Sequence, residues 1–267
     1  MFDLEIRNEI AAITLQHPPV NALSRPWADA FHAVLDKLER RSDWRILRIR
    51  SGLRLFSAGG DIKQFASRLE APNAGMLLAE EAIYYQGLFD RIQMLPQISI
   101  AEIRGVAAGG GFELALSCDL RIAGEHARVG LPEVGVGLLP SAGGTQRMTR
   151  LVGTGRALRL IGGAELVNAA EALRLGLVEW VLPDEGFAEA VAVIAARFAG
   201  QPLEALRAAK SCIAAAVDPA RDGFAEEVDA PRHLMGAVET KARIAEFVAK
   251  AASKAPAKSR DLIDQSD

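Results

Sequence analysis

Two glutamates, Glu113 and Glu133, are the side chains of this sequence best suited to moving protons. Glu113 lies in an apolar run between Phe112 and Leu114, so its carboxyl group has apolar neighbours whichever way the side chain points. Loss of hydration raises the pKa of a carboxyl group, and a raised pKa suits general acid–base catalysis. The alternative is a structural role for Glu113, in an ion pair with a cation such as Arg121 or in the first turn of a helix.

Glu133 has a different setting, directly after Pro132 in the glycine-rich segment 131–137. A glutamate at such a turn is commonly solvated, so the local sequence alone favours a surface position. Together with Glu113 it would provide the proton donor and proton acceptor that acid–base catalysis requires. The sequence therefore predicts an acid–base site if the fold brings the two glutamates together.

Two glycine-rich segments, at residues 56–63 (FSAGGDIK) and 105–113 (GVAAGGGFE), could hold a developing anion. Both follow a predicted strand and open a predicted helix. Glycine lets a backbone N–H group come close to a ligand, and the first turn of a helix offers free N–H donors. Two loops that each supply one donor would form an oxyanion hole, in which one donor contributes about 3–4 kcal/mol of transition-state stabilisation.

Other common catalytic patterns are absent from the sequence. It has no G-x-S-x-G nucleophile elbow, no G-x-x-x-x-G-K phosphate loop and no complete G-x-G-x-x-G. A hydrolase with Ser57 or Ser141 as nucleophile ranks last, because no histidine partner can be identified. The histidines lack metal-ligand spacing, so no metal site is predicted. They are His17, His32, His126 and His233.

Composition narrows the class of protein. Half of the 267 residues are apolar, 24% are charged and the net charge is −3, which argues against a non-specific nucleic-acid surface. Cys118 and Cys212 lack C-x-x-C spacing, so neither a disulfide scaffold nor a structural zinc site is expected. The first residues lack a signal-peptide pattern and no apolar run is long enough to cross a bilayer, so we expect a cytoplasmic protein.

The elements that must position these residues follow from the periodicity of apolar side chains. Strands are predicted at residues 2–7, 10–15, 46–49, 98–103 and 120–122. Helices are predicted at residues 27–38, 76–94, 186–199, 202–217 and 239–250, with a short helix after the glycines at 109–111. This succession predicts an α/β fold. Residues 1–199 would form the catalytic core and residues 200–267 a helical C-terminal region, frayed from about residue 251.

The sequence resembles the enoyl-CoA hydratase/isomerase (crotonase) family from about Ile13 to Pro183. Several long segments occur in the order typical of that family. They are PPVNALS at 18–24, FSAGGDIK at 56–63, GVAAGGGFELALSCD at 105–119, LPEVGVGLLPSAGGTQR at 131–147 and EALRLGLVEWVLP at 171–183. The number and order of these segments make the resemblance specific.

The resemblance implies a crotonase-like spiral of ββα units as an acyl-CoA-binding core. The helical C-terminal region would form trimers, which often pair into hexamers. The implied activity is that of an enoyl-CoA hydratase, the reversible addition of water to a 2-trans-enoyl-CoA to give a 3-hydroxyacyl-CoA. Neither a metal nor a separate cofactor is implied, because coenzyme A is part of the substrate, and no nucleic-acid or membrane partner is implied.

The resemblance also assigns roles to residues. The oxyanion-hole amides fall on Gly60 and Gly110, and the acid–base pair falls on Glu113 and Glu133. Glu113 would mainly activate the water that attacks C3, and Glu133 would deliver a proton to C2. The residues expected to contact substrate are Ala58, Gly60, Asp61, Ile62, Lys63 and Gly110.

Alternatives to the hydratase activity stay open at this stage. A Δ3,Δ2-enoyl-CoA isomerase of the family often keeps a carboxylate near position 133 and lacks the one at 113, whereas this chain has both. A specialised acyl-CoA dehydratase would have the same residues, and an RNA-binding or scaffold member is disfavoured by the acidic charge balance. The chain departs from the family pattern at Gly60, where many hydratases have alanine, and in segment 239–247, so no coenzyme A contact is assigned there.

Overall fold

A computed structural model describes residues 1–61, 64, 66–67 and 70–254 of the chain. The chain divides into two compact units, Met1–Leu203 and Glu204–Asp267. The glutamates and glycines singled out above all belong to the first unit, so this unit alone positions the candidate site.

The strands of the first unit form a six-stranded and a three-stranded sheet within the described residues. They are β1 (Phe2–Arg7), β2 (Ile10–Leu15), β3 (Ile46–Ser51), β4 (Ile98–Ile103), β5 (Val106–Ala108), β6 (Leu120–Gly124), β7 (Arg128–Gly130), β8 (Leu166–Asn168) and β9 (Trp180–Leu182). The larger sheet has the order β1-β2-β3-β4-β6-β9, with β1 antiparallel to β2 and the later pairs parallel. The smaller sheet has the order β5-β7-β8.

Helices connect and cover these strands. The helices of the first unit whose full range is described include α1 (Arg25–Glu39), α2 (Ala74–Gln93), α3 (Gly110–Ser117), α4 (Gly144–Val152), α5 (Thr154–Gly162), α6 (Ala169–Leu175) and α7 (Phe187–Ala199). A short 3₁₀ helix covers Glu133–Val136. The remaining helices are α8 (Leu203–Ala215), α9 (Gly223–Leu234) and α10 (Val238–Lys254).

The predicted N-terminal strand pair is confirmed as a hairpin between β1 and β2. Asn8 and Glu9 join the strands, and both have positive φ, 51° and 62°. Positive φ at both central residues of a two-residue turn matches the right-handed twist of the strands that it joins. The short connection fixes the register, in which Arg7 pairs with Ile10.

Both faces of the larger sheet carry apolar residues, as expected for a mainly parallel sheet with helices on each side. One core cluster contains the buried stripe of α1, including Trp27, Phe31 and Leu35, and residues of α2 and α3. A second cluster joins β-strand isoleucines to α7, and its buried members are Ile46, Ile100, Ile122, Phe187, Val191 and Ala195. The sheet is therefore a rigid layer from whose strand ends the glycine-rich segments extend.

A short parallel bridge between Ser57 and Ala107 holds the two glycine-rich segments side by side. The N–H of Phe56 donates to the carbonyl of Val106 at 2.9 Å, and the N–H of Ala108 donates to the carbonyl of Ser57 at 3.0 Å. A Cβ atom on Gly111 would lie 2.6 Å from the carbonyl oxygen of Ser57, so only glycine permits this approach. The segments thus meet through backbone groups.

The second unit is helical, as predicted from the loss of strand patterns after residue 185. The predicted helices at 202–217 and 239–250 correspond to α8 and α10. Helix α9 was not predicted. It begins at Gly223, capped by Asp222, whose side chain accepts from the N–H of Ala225, and it contains Pro231. No helix in the described residues is long and apolar enough to span a membrane.

Candidate active site

A cavity of about 790 Å³ in the first unit brings the predicted site residues together. Its wall includes Ala58, Gly60, Gly110, Glu113 and Glu133. Ligand pockets commonly have volumes of about 300–1,000 Å³, so the cavity can hold an acyl group and part of its carrier.

The other residues predicted to contact substrate are Asp61, Ile62 and Lys63. Asp61 is half-buried, and its side chain accepts from the N–H of Gln64 at 3.4 Å. Asp61 is not among the residues that line the cavity. Ile62 and Lys63 lie outside the described residues.

The N–H groups of Gly60 and Gly110 have the local geometry of available donors. The N–H of Leu23 donates to the carbonyl of Gly59, and the carbonyl of Leu23 accepts from the N–H of Asp61. The N–H of Gly60, which lies between these two residues, takes no part in this β-bridge. Gly110 opens α3, and the first N–H groups of a helix have no partner within the helix. Neither N–H donates to a backbone carbonyl within the described part of the chain.

Gly59 allows these two donors to approach each other. Its φ is +90°, and a Cβ atom there would lie 3.1 Å from the nitrogen of Gly110 and 2.7 Å from the carbonyl oxygen of Ala108. A side chain at this position would therefore be strained and would press on the neighbouring loop. Glycine at 59 keeps the segments that carry Gly60 and Gly110 in contact.

Glu113 lies on α3 and is buried, with only 3% of its surface exposed. One carboxylate oxygen, Oε1, accepts a hydrogen bond from the N–H of Gly144 at 2.8 Å. Burial raises the pKa of Glu113 to about 7, and the negative charge of Glu133 adds to the rise, whereas backbone donors and the charge of Arg147 oppose it. A carboxyl group with this pKa can take up and release protons at neutral pH.

The ion pair between Glu113 and Arg121 that the sequence left open is not formed. Arg121 is buried, and its guanidinium donates to Glu179 and to the carbonyls of Cys118 and Leu177. The guanidinium of Arg121 bonds to these partners and not to Glu113.

Glu133 is half-buried at the start of the 3₁₀ helix. The expectation from its local sequence, a solvated position on the surface, is therefore wrong. Its Oε2 atom is buried and has no hydrogen-bond partner in the described part of the chain. Burial raises the pKa of Glu133. A buried carboxylate oxygen without a partner, on a residue that lines a cavity, is a candidate position for a proton.

Both carboxylates lie beside the same pair of glycines. A Cβ atom on Gly109 would lie 2.9 Å from Oε1 of Glu133, and one on Gly110 would lie 3.8 Å from Oε2 of Glu113. The N–H of Gly109 donates to the carbonyl of Gly130 at 3.0 Å, which holds this loop against the strand that leads to Glu133. The structure therefore joins the two glutamates and one oxyanion-hole candidate in a single cluster.

Arg147 is a buried residue of the site that sequence reasoning did not single out. Its guanidinium donates to Asp90 Oδ1 at 2.5 Å, to Gln93 Oε1 at 2.8 Å and to the carbonyl of Ala142 at 2.9 Å. It thereby links α4 to α2 and places a positive charge near Glu113. Its position in the first turn after two glycines is the only signal that the sequence offers.

Ser57 does not have the contacts of a nucleophile. Its hydroxyl group is buried, donates to the carbonyl of Asn21 at 2.8 Å and accepts from the N–H of Gly59 at 3.1 Å. These bonds fix the first glycine-rich segment. No histidine of the described residues lines the cavity, so the lowest-ranked sequence alternative, a serine hydrolase, lacks its base.

One group of side chains in the described residues has the spacing to hold a metal ion, and it lies outside the cavity. It consists of Glu125, His126 and Asp184, whose possible ligand atoms lie within 4.8 Å of one another. Nδ1 of His126 is 2.7 Å from Asp184 Oδ2, and Oε1 of Glu125 accepts from the N–H of Asp184. These groups satisfy one another, and the imidazole is exposed.

The raised pKa of Glu113 has a consequence for stability. The folded protein binds the Glu113 proton with a pKa of about 7 against 4.5 for an ordinary glutamate, so its stabilising contribution is complete below pH 4.5 and is lost as the pH rises through 7. Glutamine carries no titrating proton. The free energy of unfolding of Glu113→Gln relative to wild type should therefore increase by about 2–3 kcal/mol between about pH 5 and pH 8.

Urea denaturation of both proteins across this pH range measures the difference. Glu189→Gln, which changes an exposed glutamate of α7, serves as the control and should show the same pH dependence as wild type. A constant difference between Glu113→Gln and wild type across the range would contradict the raised pKa.

Comparison with known proteins identifies the family and agrees with the fold. The family described as enoyl-CoA hydratase/isomerase matches residues 5–254. A probable enoyl-CoA hydratase of Bacillus subtilis (strain 168) is 43% identical over 197 residues, which cover 73% of this chain and 75% of that protein. A short-chain-enoyl-CoA hydratase of Clostridium acetobutylicum is 35% identical over 214 residues, 79% of each chain.

A solved structure gives the same result for the fold. The crystal structure of an enoyl-CoA hydratase from Bacillus anthracis superimposes with a TM-score of 0.86 at 30% identity, and the match covers 93% of this chain and 96% of that one. The predicted α/β fold of crotonase type, with a helical C-terminal region, is confirmed. The chain belongs to the enoyl-CoA hydratase/isomerase family.

Proposed function

We propose that this protein catalyses the reversible addition of water to a 2-trans-enoyl-CoA thioester, giving a 3-hydroxyacyl-CoA. One observation carries the proposal: the carboxylates of buried Glu113 and half-buried Glu133 lie beside the glycine pair at the start of α3 in one cavity. Relatives named as enoyl-CoA hydratases, 43% and 35% identical to this chain, support the same reaction.

The thioester carbonyl would be held by the N–H groups of Gly60 and Gly110. Water addition at C3 moves negative charge onto the carbonyl oxygen, and donors fixed in advance stabilise that charge without reorganising. The donor of Gly110 also lies at the N-terminus of α3, where the helix dipole favours negative charge. The two amides would thus lower the barrier by favouring the enolate-like state over the neutral thioester.

The two glutamates would divide the proton transfers. Glu113, as carboxylate, would take a proton from the water whose oxygen bonds to C3, while the double-bond electrons move toward the carbonyl. Glu133, as carboxylic acid, would give its proton to C2, and exchange with solvent would restore both groups. Burial raises the pKa of both side chains, so the pair retains a proton at a pH at which exposed glutamates are ionised.

The proposed chemistry requires no separate cofactor, because the thioester itself makes C2 acidic and coenzyme A arrives as part of the substrate. The glutamates supply proton transfer and the glycine amides supply charge stabilisation. Each positioned acid or base commonly contributes about 10²–10⁴-fold to the rate.

We also propose that copies of this chain assemble as a trimer, or as a dimer of trimers, through the C-terminal helices. The second unit carries large apolar side chains with unusually high exposure, such as Phe224 (85%), Val228 (71%) and Phe247 (75%). Exposed apolar surface of this kind is typical of protein–protein contacts.

The test of the reaction is incubation of the purified protein with crotonyl-CoA. We expect loss of the absorbance of the conjugated enoyl thioester and a product heavier by one water. If the absorbance stays constant and a 3-enoyl thioester is instead converted to its 2-enoyl isomer, the protein is an isomerase and the hydratase proposal is wrong.

A further inference from the structure

Helix α2 forms one wall of the cavity, and its contribution is mostly apolar. The cavity residues of this helix are Gly75, Leu78, Ala79, Glu81, Ala82 and Tyr85. Small and aliphatic side chains suit a hydrocarbon acyl chain. Glu81 and Tyr85 are the two members of this wall that carry polar groups.

The hydroxyl group of Tyr85 is buried without a hydrogen-bond partner among the described residues. The residue is 8% exposed, and no described side chain or backbone group bonds to its Oη atom. Its ring lies against Phe89, with ring centroids 6.0 Å apart, which limits the positions open to the hydroxyl group. Buried hydroxyl groups are nearly always hydrogen-bonded, because burial without a partner is costly. A ligand atom in the cavity would supply the partner that the protein does not.

Glu81 limits the chemistry of that ligand atom. It is 9% exposed and lies one helical turn before Tyr85, on the same face of α2. A carboxylate accepts several hydrogen bonds, whereas a tyrosine hydroxyl can both donate and accept. A hydroxyl group on the substrate could accept from Tyr85 and donate to Glu81. An alkyl chain would offer the Tyr85 hydroxyl group no hydrogen-bond partner.

We infer that Tyr85, with Glu81, selects an enoyl-CoA whose acyl chain carries a hydroxyl group within reach of the Tyr85 hydroxyl group. The inference rests on the proposed function and narrows its substrate class. It assigns Tyr85 a role in specificity, since the reacting carbons are served by Glu113 and Glu133. An alcohol on the acyl tail is thus preferred over an unsubstituted tail of the same length.

The test compares pairs of 2-enoyl thioesters of increasing chain length, one member of each pair carrying a terminal hydroxyl group. In the wild-type protein, kcat/KM for the hydroxylated member should exceed that for its unsubstituted counterpart by about 10-fold to 100-fold at the length that reaches Tyr85. In Tyr85→Phe this ratio should fall to about one. The ratio is measured within each variant, so a general loss of folding or activity does not alter it.

Tyr84→Phe is the matched control, because the Tyr84 hydroxyl donates to Asp29 at 2.5 Å and does not line the cavity. It should retain the wild-type ratio. A wild-type ratio near one at every chain length, or an equal ratio in Tyr85→Phe and wild type, would overturn the assignment.

A binding measurement separates failure of this inference from failure of the proposed function. Saturated acyl-CoA thioesters with and without the terminal hydroxyl group are titrated calorimetrically against wild type and Tyr85→Phe. If crotonyl-CoA is not hydrated, the reaction proposal fails, but a ratio of Kd values that depends on Tyr85 still supports the specificity assignment. If crotonyl-CoA is hydrated and neither ratio depends on Tyr85, the specificity assignment alone is wrong.

Discussion

Glu133→Gln should reduce the kcat for hydration of crotonyl-CoA by about 10³-fold. Glutamine has nearly the same shape as glutamic acid, but its amide does not release a proton to C2. Because the wall of the cavity is preserved, binding of the saturated thioester butyryl-CoA should change little. Steady-state kinetics give the loss in kcat, and calorimetry gives the Kd.

Glu189→Gln is the control for this experiment, because it makes the same chemical change on the exposed face of α7. It should retain wild-type kinetics. Near-normal turnover in Glu133→Gln would show that the proton for C2 comes from another group.

Glu113→Gln should reduce hydration by about 10²–10⁴-fold, because the attacking water loses its base. The N–H of Gly144, which donates to Oε1 of Glu113 at 2.8 Å, can donate equally to the amide oxygen of glutamine, so the local structure is retained. Migration of a double bond from C3 to C2 moves one proton between two carbons and can run on Glu133 alone. Any isomerase activity of the protein should therefore fall much less than hydration.

The two reactions are assayed on the same preparation of Glu113→Gln, with crotonyl-CoA for hydration and a 3-enoyl thioester for isomerisation. An equal loss in both reactions would contradict the division of roles between Glu113 and Glu133. Undiminished hydration would remove Glu113 from the mechanism altogether.

The two glutamates show how far local sequence can predict a site. Glu113 was predicted to be buried because apolar neighbours surround it along the chain, and the structure confirms this. Glu133 has glycine and proline neighbours, which favour exposure, yet its carboxylate is half-buried against Gly109. That contact depends on pairing between strands far apart in sequence, which local patterns do not contain.

Long helices and strands were predicted more accurately than short ones, because a longer element shows more periods of its apolar pattern. Helices α1 and α2 and strand β4 have enough apolar positions to show their period, and each was predicted within two residues at its ends. The three-residue strands β5, β7, β8 and β9 are too short to show alternation. Pairing of β5 with β7 places the second glycine-rich segment beside the strand that leads to Glu133, so the assembly of the site could not be derived from periodicity.

Tyr85 and Arg147 were missed for a related reason. Tyr85 lies on the predicted helix 76–94, but the sequence does not show that one end of α2 borders a cavity rather than the core. Arg147 lies on α4, which was not predicted. The bonds of Arg147 to Asp90 and Gln93 join residues more than fifty positions apart. A polar side chain on the buried face of a predicted helix was the only available signal for Tyr85.

A crystal structure of the protein with butyryl-CoA, which cannot be hydrated, tests the central claim most directly. We predict that the thioester oxygen lies about 3 Å from the nitrogens of both Gly60 and Gly110, with C2 and C3 between the carboxylates of Glu113 and Glu133. A thioester oxygen that contacts neither glycine, with the acyl chain outside the cavity that holds the two glutamates, would contradict the account.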